Sequence, residues 1–309
     1  MEIKDHLTRY GWITPTVEKK AYMFGDGSLV TDIIKADGQW DDSLPAEEKQ
    51  YTSKTDTQNC TVYGSENVCE THIKGMYLFS PNYSDRYIGI LAGTTIAGND
   101  VQKVCETIRA RGLIDEDMLP STEDMSWDEY YSPKPMTQLY INEGKKWLNQ
   151  YIFKHDWVVT KNYNGQSTRK KIIDALKYSP LGISVGAWPV PINGIIADRL
   201  PDNHWIMLYG FVEGKYWKVF DHYPPYQKKL AWDYEFSWVK RISVTKVIPK
   251  LPIISDPITE PEKKQVLSWL ESIKQWLLNL RTKLKGYFKP NEDWKTPPDQ
   301  SEGEKAESK

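Results

Sequence analysis

The chain has 309 residues, enough for one large domain or two ordinary ones, and its apolar content of 39% is that of a globular protein. The net charge of -2 gives no electrostatic reason to expect a nucleic-acid partner. Three cysteines, an odd and sparse number, argue against a disulfide framework and favour a reducing compartment. We find no secretory signal and no apolar run near the ~18 residues that span a bilayer, so we expect a cytoplasmic or virion-associated protein.

Residues 1–49 are rich in turn signals, which predict an extended cover instead of helices. A helix is predicted to begin at Cys60 and to end near Tyr77, because small or apolar residues recur there at intervals of three and four. A cysteine at a helix N-terminus lies near unpaired N–H groups, so we expect the pKa of the Cys60 thiol to be lowered. The alternative for Cys60 is a small buried cysteine.

Three further helices are predicted in the first half of the chain. They lie around Tyr87, at Asp100–Arg111, and around Met136–Tyr151. Cys69 and Cys105 fall on the apolar stripes of their helices, and we predict that both belong to the core.

The second half of the chain is predicted to be mainly strands. A helix at Gln166–Tyr178 is flanked by short apolar segments at Trp157–Thr160, Leu181–Trp188, Trp205–Val212, Tyr216–Asp221, Trp232–Val239 and Ile242–Ile248. Helices followed by strands indicate an α+β protein. We expect one domain over residues 1–250, with a helical lobe at about 50–150 and a β lobe at about 151–250.

The C-terminal residues are predicted to form a separate region. Prolines mark residues 251–261 as a linker, and apolar residues at helical spacing predict a basic amphipathic helix over residues 262–288. This helix could self-associate or dock on its own domain, on a partner protein or on a membrane surface. Residues 289–309 contain almost no apolar side chains and are predicted to be disordered.

Among the five histidines, His204 is the best candidate for chemistry, since it stands in a polar turn at the mouth of a buried strand. If Glu213 and Gly214 form a two-residue hairpin loop, Asp221 lies diagonally opposite His204 on the same face, within side-chain reach. A three-residue loop would reverse this relation. With the two-residue loop, His222 points to the opposite face and is structural.

A carboxylate that holds one imidazole nitrogen leaves the other nitrogen to face a nucleophile. The residues alone therefore nominate Cys60, His204 and Asp221, in that chain order. The gap between Cys60 and His204 matches the long spacing of papain-type cysteine hydrolases and exceeds that of small cysteine amidases.

Several segments resemble papain-like cysteine peptidases, in the same order along the chain. CTVYGSENVCE resembles the central helix with the nucleophilic cysteine, NHWIMLYGF the histidine strand, and YWKVFDHY the strand that carries the family's asparagine. The resemblance covers about residues 45–248, and the run from WDDSLPAEEKQ to DTQNC is similar to divergent members encoded by phages. It implies a helical lobe and an antiparallel, β-barrel-like lobe, with the site in the cleft between them.

The resemblance implies that Cys60 is the nucleophile, His204 the general base and acid, and Asp221 the residue that orients the imidazole in place of the usual asparagine. The family's oxyanion glutamine is absent from its usual offset. Gln50 is the first candidate for this role and Gln58 the second. Tyr223 and Trp217 are further candidates for lining the cleft.

The function that the resemblance implies is hydrolysis of a peptide or protein substrate through a thioester, with no cofactor and no metal. One alternative is a catalytically inactive structural or binding module of a larger assembly such as a virion, because Thr57 and Thr61 replace residues of the family's CGSCW box. Another is a cysteine amidase that acts on cell-wall peptides.

Overall fold

A computed structural model describes residues 10–15, 23–24, 32–161 and 165–247, and six residues of the C-terminal region. The chain divides into two compact units, Met1–Ile248 and Pro249–Lys309. The second unit's described residues are helical and exposed; they are Lys264, Leu267, Ser268, Glu271, Lys274 and Gln275. The predicted linker, the predicted tail and the remaining residues of the amphipathic helix lie outside the described residues. Among the residues that are described, no helix has the length and apolarity to cross a membrane.

The first half of the main unit is helical. Its helices are α1 (Cys60–Tyr77), α2 (Asp85–Ala92), α3 (Val101–Arg111), α4 (Trp127–Tyr130) and α5 (Gln138–Gln150). The prediction for α1 is confirmed at both ends. However, every residue of α1 from Cys60 to Ile73 is buried, so α1 is a central helix covered on all sides and not a helix with a single buried stripe. Cys69 and Cys105 lie in the core, as predicted.

The second half forms an antiparallel sheet of six strands in the order β3-β8-β4-β5-β6-β7. The strands are β3 (Tyr151–Thr160), β4 (Leu181–Val185), β5 (His204–Val212), β6 (Tyr216–Phe220), β7 (Gln227–Ala231) and β8 (Trp238–Lys246), with α6 (Gly165–Leu176) before β4. The α+β prediction is confirmed. The predicted strand Trp232–Val239 is wrong, because most of that segment is the connection between β7 and β8, in which Tyr234 and Phe236 are buried.

The prediction of a barrel-like lobe is wrong, because the sheet is open. Its two edge strands are covered by other segments instead of pairing with each other. Trp157 of β3 forms a bridge with Met23, and Leu230 of β7 forms one with Ile196. A closed barrel has no edge strands, whereas in this open sheet the covering segments protect the two edges.

The core lies where α1 packs against β5 and β8. His72, near the end of α1, links the helix to the sheet: its Nδ1 accepts a hydrogen bond from the Val244 backbone (3.3 Å), and its Nε2 lies 3.2 Å from the Tyr178 carbonyl oxygen. Burial lowers the pKa of His72 to about 4, so this imidazole is neutral at physiological pH. His72 is thus a structural residue that holds α1 on the sheet.

Candidate active site

Cys60 is the first residue of α1, and the start of this helix lies directly against β5. A Cβ atom on Gly64, one turn later, would stand 2.9 Å from the Trp205 carbonyl oxygen and 3.2 Å from the Ile206 Cα. Only glycine permits this approach of helix to strand. The close packing brings Cys60 beside the strand that begins at His204.

The Cys60 thiol is fully buried. Burial raises its pKa well above the ordinary value, although a hydrogen bond from the Trp205 backbone opposes this, and the negative charges of Asp56 and Asp221 raise it further. The expectation that the helix N-terminus would lower this pKa is therefore wrong. The loss of water outweighs the helix dipole, and the resting thiol is protonated.

His204 and Asp221 form a buried, hydrogen-bonded pair. His204 Nε2 lies 2.8 Å from Asp221 Oδ1, and both side chains are fully buried. Burial alone would raise the pKa of Asp221, but the neighbouring His204, with His222 and Lys228, holds it well below its ordinary value. An ionised carboxylate can only accept, so Nε2 carries the proton, and His204 Nδ1 has no hydrogen-bond partner.

The pair depends on two irregularities of the β5–β6 hairpin. The loop between Val212 and Tyr216 has three residues, so the prediction of a two-residue loop is wrong. By itself, a three-residue loop would set Asp221 on the wrong face. A β-bulge between Leu208 and Gly210 inserts one extra residue, and Met207 then pairs with Phe220 in the register that the shorter loop would have produced.

His222 lies beside the pair, and the prediction that it points to the opposite face is wrong. Its ring centroid is 4.7 Å from that of His204 and 5.3 Å from that of Tyr63. β6 ends at Phe220, so the alternation of a strand no longer governs His222. Burial lowers its pKa well below the ordinary value, and neither ring nitrogen has a hydrogen-bond partner.

Two residues that sequence reasoning missed complete the environment of Asp221. Its Oδ2 accepts hydrogen bonds from Trp188 Nε1 (2.8 Å) and from Lys228 Nζ (2.6 Å). The Trp188 ring also stands edge-on to His204, with centroids 5.9 Å apart. The buried carboxylate of Asp221 could have signalled a nearby cation, but nothing in the sequence of β7 singles out Lys228.

The described N-terminal segment lies over the site. The Tyr10 ring is 4.9 Å from that of His204, and Trp12 stacks on Trp205 with centroids 4.9 Å apart and an interplanar angle of 3°. Trp12 and Ile13 form β1, which pairs in parallel with the two-residue β2 at Asn99. Tyr10 and Trp12 are each less than a tenth exposed, and Cys60 and His204 are fully buried.

Gln50 and Gln58 lie on the segment that leads to Cys60. The Gln50 side-chain amide donates to Asp56 Oδ1 (2.9 Å) and to the carbonyl oxygen of Tyr10 (3.2 Å). Gln58 adopts a left-handed conformation (φ 53°), and its backbone N–H donates to the same Asp56 oxygen at 2.8 Å. Of the two glutamines, Gln50 is therefore the one whose side-chain amide donates a hydrogen bond to a peptide carbonyl.

The two aromatic candidates differ in position. The Tyr223 ring lies 5.5 Å from that of His204, and its hydroxyl donates to the Asp56 carboxylate, so Tyr223 belongs to the site. Trp217 is fully buried and stacks on Trp232 at 4.6 Å, which makes it a core residue away from His204.

His204, Asp221 and His222 offer ligand atoms that all lie within 4.8 Å of one another, a spacing that a transition metal could bridge. However, the Lys228 ammonium already contacts the Asp221 carboxylate at 2.6 Å and would repel a divalent cation. Among the described residues, we therefore assign His204 and Asp221 to a hydrogen-bonded pair and not to a metal site.

No family model and no curated protein sequence matches the chain. Solved structures do match. Procathepsin L 3 from the larval midgut of Tenebrio molitor superimposes with a TM-score of 0.52 at 10% identity over 79% of each chain. Procathepsin L2 from the same tissue gives 0.50 at 12% identity, over 80% of this chain and 81% of that one.

A third match is the clostridial cysteine protease Cwp84 after propeptide cleavage, with a TM-score of 0.51 at 12% identity. It covers 67% of this chain, which spans 57% of the Cwp84 chain. The fold is papain-like. The expected combination of a helical region with an antiparallel sheet, in the arrangement of these cysteine proteases, is therefore confirmed.

Proposed function

We propose that the chain is a papain-like cysteine peptidase with a triad of Cys60, His204 and Asp221. The observation that carries this proposal is the state of the imidazole: Asp221 holds Nε2 at 2.8 Å, while the buried Nδ1 is left without a partner. That nitrogen is available to take a proton from a thiol. Cys60 supplies the thiol, because its sulfur accepts a hydrogen bond from the backbone of Trp205, the residue next to His204.

The reaction follows from these protonation states. The Cys60 sulfur attacks the carbonyl carbon of the scissile peptide bond as its proton passes to His204 Nδ1. The imidazolium, held by Asp221, then gives this proton to the leaving amine, and a thioester remains. His204 next removes a proton from a water molecule, which attacks the thioester and releases the acid together with the Cys60 thiol.

Gln50 is the residue that we propose for oxyanion stabilisation, together with the backbone N–H of Cys60. In the closed site the Gln50 amide donates to the carbonyl oxygen of Tyr10, a residue whose ring packs on His204. This contact supports the assignment, because the Gln50 amide donates to the peptide carbonyl of a residue whose ring packs on His204. A substrate carbonyl would take this position once residues 10–13 move away.

A second candidate function is a catalytically silent module. The complete burial of Cys60 and His204 and the raised pKa of the thiol favour it, because a silent module has no need of an accessible nucleophile. The two functions differ in whether Cys60 reacts as a nucleophile.

The test is turnover of a fluorogenic peptide library, combined with labelling by a peptide that carries an electrophile. Cys60→Ala should abolish both, whereas Cys69→Ala, a core cysteine on the same helix, should retain them. Circular dichroism should show that both variants are folded. Peptide turnover that survives Cys60→Ala would contradict the peptidase, and a folded wild-type protein that neither turns over peptides nor labels at Cys60 would favour the silent module.

A further inference from the structure

The Asp221 carboxylate is held by four hydrogen bonds. Oδ1 accepts from His204 Nε2 and from the backbone N–H of His222, each at 2.8 Å. Oδ2 accepts from Trp188 Nε1 at 2.8 Å and from Lys228 Nζ at 2.6 Å. Lys228 is the only one of these four donors that carries a permanent positive charge at neutral pH.

Lys228 is fixed in place and uses all of its donors. Its side chain is only 8% exposed, and its ammonium also donates to the carbonyl oxygens of Tyr223 and Pro225, each at 2.6 Å. Three acceptors thus match the three protons of the ammonium. Burial lowers the pKa of Lys228, but the Asp221 carboxylate opposes this.

A carboxylate in the third triad position creates a problem that a neutral amide would not. It adds a negative charge near a thiol that must become a thiolate, and Asp221 does raise the pKa of Cys60. Asp56, His204, His222, Tyr10 and Tyr223 are further titratable groups around the site, and both imidazoles lie next to Asp221. In such a buried setting, a charge in direct contact has a much larger effect than in water.

We infer that Lys228 is a positioning residue of the proposed site, which offsets the charge of Asp221 and so allows an acidic residue to orient His204. Its bonds to the Tyr223 and Pro225 carbonyls also hold the turn that carries Tyr223 over the imidazole. The inference rests on the proposed function for its catalytic consequence, but the electrostatic effect on the thiol exists whether or not the protein is an enzyme.

The experiment is a double-mutant cycle with Lys228→Met and Asp221→Asn. Two quantities are measured at neutral pH for all four proteins: kcat/KM with a fluorogenic peptide, and the rate at which iodoacetamide alkylates Cys60, followed by mass spectrometry. With Asp221 present, Lys228→Met should lower both by about tenfold, since one unit in the thiol pKa changes the thiolate fraction tenfold, while KM stays unchanged. In the Asp221→Asn background the same change should have little effect, because no charge is left to offset.

The direction in which the alkylation rate of Cys60 changes separates this role from a purely structural one. If Lys228 only held the turn, its loss would free Tyr223, open the site and make alkylation faster in both backgrounds. That result, or an equal loss in both backgrounds, would overturn the inference. If Lys228→Met does not fold, two other comparisons test the inference. They are the Asp221→Asn variants and Lys228→Arg, which retains the charge and should keep the wild-type alkylation rate. If the wild-type protein has no peptidase activity, the proposed function fails, but the alkylation cycle remains decisive.

Discussion

His204 Nε2 and Asp221 Oδ1 lie 2.8 Å apart although they stand on neighbouring strands whose loop, taken alone, would set them on different faces. The bulge between Leu208 and Gly210 compensates for the three-residue loop. The geometry of the proposed site therefore depends on an irregularity of β5 and on the close packing of α1 against this strand. The close packing of α1 against β5 can be tested by a substitution at Gly64.

Gly64→Ala should weaken the protein and lower its activity. In most helices this change stabilises by about 1 kcal/mol, but here the added Cβ would stand 2.8 Å from Trp205 Cδ1 and 2.9 Å from its carbonyl oxygen. Overpacking of this kind typically costs about 1–3 kcal/mol. Chemical denaturation should report this loss of stability, and kcat/KM should fall because Cys60 moves away from β5. Equal or greater stability of the variant would show that α1 has room to move.

Gln50→Ala should reduce kcat by about 100-fold or more, as the loss of an oxyanion donor does, while KM changes little. The matched control is Gln58→Asn, since asparagine tolerates the left-handed backbone of Gln58 (φ 53°). Steady-state kinetics with one fluorogenic peptide would compare the two variants. A larger loss of kcat for Gln58→Asn than for Gln50→Ala would transfer the oxyanion role to Gln58.

The contribution of Glu66 and Asp85 to the free energy of unfolding should fall as the pH rises from about 5 to 8. Glu66, on α1, is 1% exposed, and its carboxyl group lies next to that of Asp85. Burial raises the pKa of Glu66 and that of its neighbour Asp85 well above their ordinary values. A raised folded-state pKa contributes stability below the unfolded-state value, and this contribution is lost as the pH rises through the folded-state value. The lowered pKa of Asp221 acts only in more acidic solution, where its contribution would be lost.

Glu66→Gln isolates this effect. The amide cannot ionise and can donate to Asp85, so the variant should be more stable than wild type at pH 8 by about 1–3 kcal/mol, with a smaller dependence on pH. Glu213→Gln, an exposed change in the β5–β6 loop, is the control and should leave the pH dependence unaltered. Thermal denaturation between pH 5 and 8 measures both. A variant with the wild-type pH dependence would mean that Glu66 does not control it.

The parts of the structure that follow from local patterns could be predicted from the sequence. The spacing of small and apolar residues from Cys60 to Met76 predicts α1 to both ends, although the helix is buried on all sides and not along one stripe. The relation of His204 to Asp221 could be argued from strand alternation, but the reasoning assumed a two-residue loop without a bulge, and two departures happened to cancel. A bulge leaves no reliable mark in a single sequence.

Tertiary effects could not be predicted. The pKa of Cys60 depends on its complete burial, which in turn depends on α1 being covered on all sides and on residues 10–13 lying over the site. The position of Lys228 beside Asp221 depends on the pairing of β6 with β7, which sets Val219 opposite Lys228. The direction of the His222 side chain could not be predicted because the regular strand β6 ends at Phe220, before His222.

Removing the aromatic anchor of the N-terminal segment should expose Cys60. Trp12 stacks on Trp205 at 4.9 Å, and Trp12→Ala would lose this contact and most of the buried area of the indole. Each loss of about 1.4 kcal/mol in closure raises the open population about tenfold. The alkylation rate of Cys60 should therefore rise at least tenfold, and peptide turnover should rise with it.

Ile13→Ala is the control, since Ile13 is the neighbouring residue of β1 but is 39% exposed, and its change should have little effect. If Trp12→Ala leaves both rates unchanged while the protein remains folded, the segment does not limit access, and the site must open elsewhere.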